Sequence, residues 1–156
     1  MSSQHSFDSD TRFLAVRDGY AISAEPSLID LDTVHRFLAE ESYWRRGVLR
    51  SIVERAISGS VCFGVYQLAS AEPRMVGFVR FVTDGSTFAW MDDLFVLPQH
   101  RGRGLGHWLV DVSLNHPTVA GAHLVWLVTA DAEEFYAAHE FRTFALGRSI
   151  VMVRAG

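Results

Sequence analysis

The chain has 156 residues, 49% of them hydrophobic and 21% charged, with a formal net charge of -4. That size fits one domain and that balance a folded globule, which excludes an extended disordered polymer and a strongly basic nucleic-acid coat. No apolar stretch approaches the ~20 residues that span a bilayer, and the opening MSSQHSFDSD is polar and acidic where a signal peptide would be basic and then apolar, so the expectation is a cytoplasmic protein with neither a membrane nor a nucleic-acid partner.

Residues 1–10 lack periodicity and read as a loose tail, leaving 11–156 as a single domain. Arg12 to Val16, Asp18-Gly19 and Tyr20 to Ser23 have the form of two extended runs around a type I′ turn. Leu31, Val34, Phe37 and Leu38 fall close to one helical face, with Asp30 available as the cap. Leu49, Ile52, Val53 and Ala56 repeat the i, i+3, i+4, i+7 pattern of a second helix, and Ser58-Gly59 stops it. The period then changes: Val61 to Tyr66, Met75 to Val82 and Phe88 to Leu97 are rich in aromatic and branched residues and predict three consecutive strands. Cys62, the single cysteine, sits in the first of these among apolar neighbours, so burial is expected and an internal disulfide is excluded. Thr83-Asp84-Gly85-Ser86 predicts an antiparallel hairpin between the last two. A two-residue Asp84-Gly85 turn would set Asp93 opposite Val76 and Asp92 opposite Gly77, with Arg80 several residues away unless a bulge intervenes.

Leu105, Trp108, Leu109 and Val112 mark a further helix that Asn115-His116-Pro117 ends. The run His123 to Thr129 is apolar at nearly every position and predicts a strand covered on both faces, in the middle of the sheet. A short helix is expected from Asp131, with Glu134 completing a capping box, and Arg142 to Leu146 and Ile150 to Val153 read as closing strands. Seven histidines are scattered without helical ligand spacing, and no CxxC is present, so no metal site is expected.

The most informative stretch is Asp93 to Trp108, which reads strand, glycine loop, amphipathic helix. A helix start leaves about four amides unpaired and concentrates partial positive charge, a natural seat for phosphate oxygens. Gly102, Gly104 and Gly106 let the backbone approach an anion closely, and Arg101 and Arg103 add charge, so a diphosphate is the expected guest. No Gly-Lys-Ser/Thr follows, which excludes a P-loop, and the G-x-G-x-G spacing does not fit the G-x-G-x-x-G dinucleotide fingerprint. A tight turn without a ligand is the bland alternative; arginines interleaved with glycines at a helix start make it the weaker one.

The pattern Arg101-x-x-Gly104-x-Gly106, preceded by Val96-x-Pro98, resembles the GNAT acyl-CoA N-acyltransferases. The resemblance runs from about Tyr20 to the end and implies an α/β fold with a mixed, mainly antiparallel sheet flanked by helices on both faces. It implies an N-acetyltransferase that takes acetyl-CoA as co-substrate, with the diphosphate held by Arg101, Gly102, Arg103, Gly104, Leu105, Gly106 and His107. Leu94, Phe95 and Val96 would pair with the pantetheine arm as another strand would, and an amide near Val96 would hold the carbonyl oxygen. Phe135-Tyr136-Ala137-Ala138-His139-Glu140-Phe141 resembles the family segment whose tyrosine protonates the departing thiolate, which assigns Tyr136 as general acid, although Glu140 stands where the family has glycine.

Asp92 and Asp93 are candidate bases, Asp93 the preferred of the two, because aspartate is disfavoured inside a strand and an alkyl amine is free in only about one molecule in 2,500 at pH 7; a salt bridge or a bend in the strand is the alternative explanation for them. Tyr43 and Trp44, beside Glu40, Glu41 and Arg45, are candidates for gripping a small-molecule or peptide amine; a roof over the core explains the aromatics equally well. Monomer and homodimer both fit. The competing reading is a non-catalytic acyl-CoA-binding sensor or interaction module of the same fold.

Overall fold

The computed structural model describes residues 10–144, 147, 148 and 150–155. The tail expected at 1–10 falls outside them, except for Asp10. Strands β1 (Ala15–Arg17) and β2 (Tyr20–Ser23) form the expected antiparallel hairpin. Asp18 and Gly19 take φ of 51° and 78°, the left-handed pair a type I′ turn requires. Helix α1 (Leu31–Arg36) is capped by Asp30, whose carboxylate accepts from the Thr33 amide at 3.1 Å, and it runs into a wider π turn over Phe37–Glu41. Helix α2 (Arg50–Ser58) stops at Gly59, but only Val53 of its expected apolar face is buried; Leu49 and Ile52 stay exposed.

Among the described residues, strands β3 (Val61–Gln67), β4 (Arg74–Thr83), β5 (Phe88–Val96) and β6 (Leu124–Trp126) complete a six-stranded sheet in the order β1-β2-β3-β4-β5-β6. Every neighbouring pair is antiparallel except β5 and β6, which are parallel, so the mixed, mainly antiparallel expectation holds. Helix α3 (Leu105–Asn115) packs Leu105, Leu109 and Val110 on Ile22, Phe63, Val79 and Phe81. Val34, Phe37, Leu38 and Val53 cover the other face with Tyr66, Met75, Phe78 and Phe95. Cys62 is buried in that second layer, and burial pushes its thiol up to about 12, which makes it a small apolar filler. Among the described residues no helix is long and apolar enough to cross a membrane.

Several expectations are corrected. The two-residue turn is instead a longer loop, because the Asp84 carboxylate accepts from the Ser86 and Thr87 amides at 2.9 and 2.8 Å and Thr83 pairs with Ala89. Arg80 therefore faces Asp92, and a shift in register follows between Phe78 and Arg80. Proline ends α3 as expected, but Pro117 also opens the short helix α4 (Pro117–Ala120).

The run from His123 is not a central strand. Only Leu124–Trp126 pair, at the sheet edge among the described residues, and Val128 is exposed. The strand buried on both faces is β4, whose side chains feed both apolar layers. Of the closing strands, Ala145 and Leu146 lie outside the described residues, Arg142 to Phe144 are irregular, and Ile150 to Val153 are exposed and unpaired. The last helix, α5 (Glu133–Ala137), starts without the expected capping box: the Thr129 hydroxyl accepts from the Ala132 amide, and Asp131 is engaged elsewhere.

Candidate active site

Parallel pairing between β5 and β6 covers only Phe88–Trp90 against Leu124–Trp126, while β5 continues to Val96. From Met91 onward the two strands part. Asp93 takes φ 56°, a left-handed bulge that Asp tolerates better than most residues and that bends β5 at the point of divergence. The opening holds a cleft of about 420 Å³, lined by Tyr43, Trp44, Asp92, Asp93, Val128 and Tyr136 among others. Leu94 lines this cleft, and past Trp90 the β5 edge has no partner strand among the described residues, which suits an extended amide-bearing chain.

At the end of β5 the chain turns through Pro98–His100 into the glycine loop. Gly102 and Gly104 have φ of 74° and 73°, and a Cβ at Gly102 would meet open space, so backbone conformation rather than crowding selects glycine there. Gly104 is the N-cap of α3, and the amides of residues 102–107 donate to no protein acceptor among the described residues. Unpaired amides converging on one point are what a diphosphate needs. Arg103 is exposed at the rim, whereas Arg101 folds its Nε back to the Val96 carbonyl at 2.9 Å and braces the loop against β5. At Gly106 a Cβ would touch Phe135 at 3.5 Å, so α5 packs closely on the first turn of α3; His107 stacks on the same ring at 4.4 Å.

Tyr136 comes from α5 and is brought to the cleft between Phe135 and Phe141, at 5.1 and 5.8 Å between ring centroids. Burial first, then the neighbouring Tyr43, Asp92 and Asp131, push its hydroxyl up to about 12, because the phenolate would be poorly solvated among acidic groups. Glu140 takes φ 66°, and the Phe141 amide reaches the Tyr136 carbonyl at 3.2 Å while the Glu140 amide reaches Ala137 at 3.1 Å, a Schellman closure with a non-glycine residue in the left-handed position. The departure from the family glycine therefore leaves the turn intact and costs strain. Glu140→Gly is expected to raise stability by about 0.5–1 kcal/mol, an upward Tm shift of a few degrees in a thermal melt; a lower Tm would mean that the glutamate side chain compensates.

Both candidate bases are tied into a charged cluster. Arg80 donates its Nε to Asp93 at 2.6 Å and a terminal nitrogen to Asp92 at 2.9 Å; Arg45 donates to Asp92 at 2.7 Å and approaches Asp93 at 3.4 Å. Trp44 donates its indole N–H to Asp93 at 3.0 Å. The Asp93 side chain is 4% exposed and that of Asp92 23%, so Asp92 has the greater access to the cleft. Tyr43 donates its hydroxyl to Asp131 at 3.1 Å and stands edge-on to Trp44 at 5.1 Å, forming the wall opposite β5. Tyr43 and Trp44 thus line the cleft. The sequence alone places Arg80 several residues from these aspartates unless a bulge intervenes and Asp131 only at a helix start; the signal that joins Arg80 to them is a lone cation inside the apolar run Met75 to Val82, which in a buried strand implies an acidic partner. Among the described residues no group of three His, Cys, Asp or Glu could hold a metal ion.

A family model described as an acetyltransferase (GNAT) domain matches residues 59–143. A protein of Gibberella zeae assigned as an acetyltransferase is 31% identical over 88% of this chain and 90% of its own length. The crystal structure of a Xanthomonas campestris pv. campestris protein assigned as a GNAT-family acetyltransferase is 34% identical, with a TM-score of 0.80 over 90% of this chain and 96% of that one. Glucosamine-6-phosphate N-acetyltransferase from Arabidopsis thaliana shares the fold at 15% identity, with a TM-score of 0.60 over 88% of this chain and 99% of that one.

Proposed function

Because this chain belongs to the GNAT family of acetyltransferases, we propose that it moves an acetyl group from acetyl-CoA to the primary amine of a small-molecule or peptide acceptor by direct attack, with Tyr136 as general acid. The observation that carries this reading is that Leu94 and Tyr136 line one cleft opened where β5 parts from β6, and that β5 runs on through Pro98–His100 into a loop whose amides donate to no acceptor among the described residues.

The diphosphate sits on the amides that follow Gly102, and the pantetheine lies along Leu94, Phe95 and Val96, which brings the thioester into the wedge. The amine nitrogen attacks the thioester carbon, a C–N bond forms, and the oxygen charge is taken by a β5 amide near Val96. The C–S bond then breaks. Tyr136 gives its proton to the thiolate, and the proton lost by the amine leaves the cleft, through water, past Asp92. Asp93, wrapped by Arg80, Arg45 and Trp44, serves as the anchor of the bulge. Tyr43, Trp44 and Asp131 face the acceptor, an arrangement suited to a cationic amine before it loses its proton.

The test is free-thiol release from acetyl-CoA across a panel of small amines and lysine- or N-terminus-bearing peptides. Amine-dependent release with formation of the acetylated product is expected. Ligand-induced stabilisation by acetyl-CoA with no release on any amine would overturn the catalytic reading in favour of a binding module.

A further inference from the structure

The β1–β2 hairpin lies outside the residues matched by the family model, yet it docks on the glycine loop. Two contacts hold it there. The Tyr20 hydroxyl and His100 Nδ1 are 2.9 Å apart with their rings edge-on, and the Arg17 guanidinium lies over the Trp108 ring, 4.6 Å from its centroid. Trp108 is in the first turns of α3, so the cation is carried to the start of that helix. A terminal nitrogen of Arg17 lies 3.8 Å from where a Cβ on Gly104 would stand. The side chain is 43% exposed, and its anionic neighbour is Asp18, 3.7 Å away and itself 87% exposed, a pair weak enough for a phosphate to displace.

Resting on the acetyl-CoA reading above, we propose that Arg17 is a diphosphate-binding residue, a cation that the N-terminal hairpin delivers to the coenzyme cradle at Gly104. Stacking on Trp108 uses the face of the guanidinium and leaves its N–H edges free, the geometry in which arginine binds phosphate oxygens. Arg101, the family-pattern arginine, has its Nε committed to the Val96 carbonyl, so the hairpin supplies charge that the loop itself has partly spent on bracing. The surroundings are cationic as well: burial first, then Arg103 and Arg74, hold the His100 imidazole below its ordinary range.

The experiment is calorimetric titration of wild type, Arg17→Gln, Arg17→Lys and Trp108→Leu with CoA, 3′-dephospho-CoA and pantetheine, the first at two salt concentrations. Arg17→Gln is expected to weaken CoA and 3′-dephospho-CoA equally, by about five- to tenfold, with a shallower salt dependence and no effect on pantetheine. Arg17→Lys should recover part of the loss, and Trp108→Leu should lose about two- to threefold by freeing the guanidinium. Unchanged CoA affinity in Arg17→Gln overturns the assignment while leaving the cofactor reading intact. A penalty confined to CoA would move the contact to the 3′-phosphate and overturn it too, and an equal penalty on pantetheine, which carries no diphosphate, would overturn it in favour of a hairpin that shapes the whole site. Absence of CoA binding by wild type would sink the cofactor reading, and this inference with it.

Discussion

Tyr136→Phe is expected to lower turnover by about 100-fold, or about 2.7 kcal/mol in the barrier, with KM for acetyl-CoA within about twofold of wild type. The phenylalanine ring keeps the contacts with Phe135 and Phe141, so the cleft retains its shape and only the proton donor is lost. The departing thiol has an ordinary pKa of roughly 8.5. With its hydroxyl raised to about 12, Tyr136 is a weak acid in the ground state, and as the proposed general acid it would deliver its proton only as charge builds on sulfur. The sign of the pH dependence follows. A raised tyrosine pKa keeps the acid form present at every pH below it, so the wild-type profile should rise with amine deprotonation and show no Tyr136-dependent fall below about pH 10. Steady-state rates in both proteins over pH 6–10 provide the check: equal turnover removes Tyr136 from the mechanism, and a descending limb near pH 8 that disappears in Tyr136→Phe would contradict the environment described for the hydroxyl.

Asp93→Asn is expected to destabilise the fold by about 3 kcal/mol, a fall in Tm of about 10 °C. Asparagine tolerates the left-handed backbone at this position, so the loss comes from the side chain. One carboxylate accepts from Trp44 and Arg45 on one oxygen and from Arg80 on the other. An amide has a single acceptor oxygen, which leaves a buried donor facing another donor and the Arg80 guanidinium, buried in β4, short of a counter-charge. Asp93→Gly separates the two parts of the argument: it relieves the backbone by about 1 kcal/mol but removes every acceptor, and should be no more stable than Asp93→Asn. Chemical denaturation of the two variants decides this. A glycine variant as stable as wild type would show that the bulge, and not the ion pairs, holds this part of the sheet.

Local signals carried well from sequence to structure. Asp18-Gly19, the Asp30 cap, the Ser58-Gly59 stop and the glycine loop into α3 each depend on a few neighbouring residues, and each formed as read. The failures are non-local. Whether His123 to Thr129 lies inside or at the edge depends on what pairs beside it, which an apolar run cannot report. The position of Asp92 against Arg80 depended on loop length, because Asp84 folds its carboxylate over two further amides and shifts the register by three residues from the two-residue expectation. For the candidate site, the glycine loop at a helix start and the segment that carries Tyr136 stand out in the sequence as motifs, whereas the full ion-pair cluster and the approach of Arg17 to Gly104 become visible only once separate segments meet in space.

The parting of β5 from β6 has a bearing on how this protein could acquire new acceptors. In the proposed mechanism the frame that receives the thioester is main chain: a bulge, a β5 edge without a partner strand among the described residues, and a helix start. Few exchanges of side chains would alter it without unfolding the sheet. The opposing wall belongs to connecting segments, where Tyr43 is largely solvent-facing and Val128 almost wholly so, and replacements at such places usually change stability by no more than about 0.5 kcal/mol. On the proposed reading, donor recognition and acceptor preference are mechanically separable, and substitutions in the wall are expected to change the acceptor while the grip on the nucleotide end is inherited unchanged.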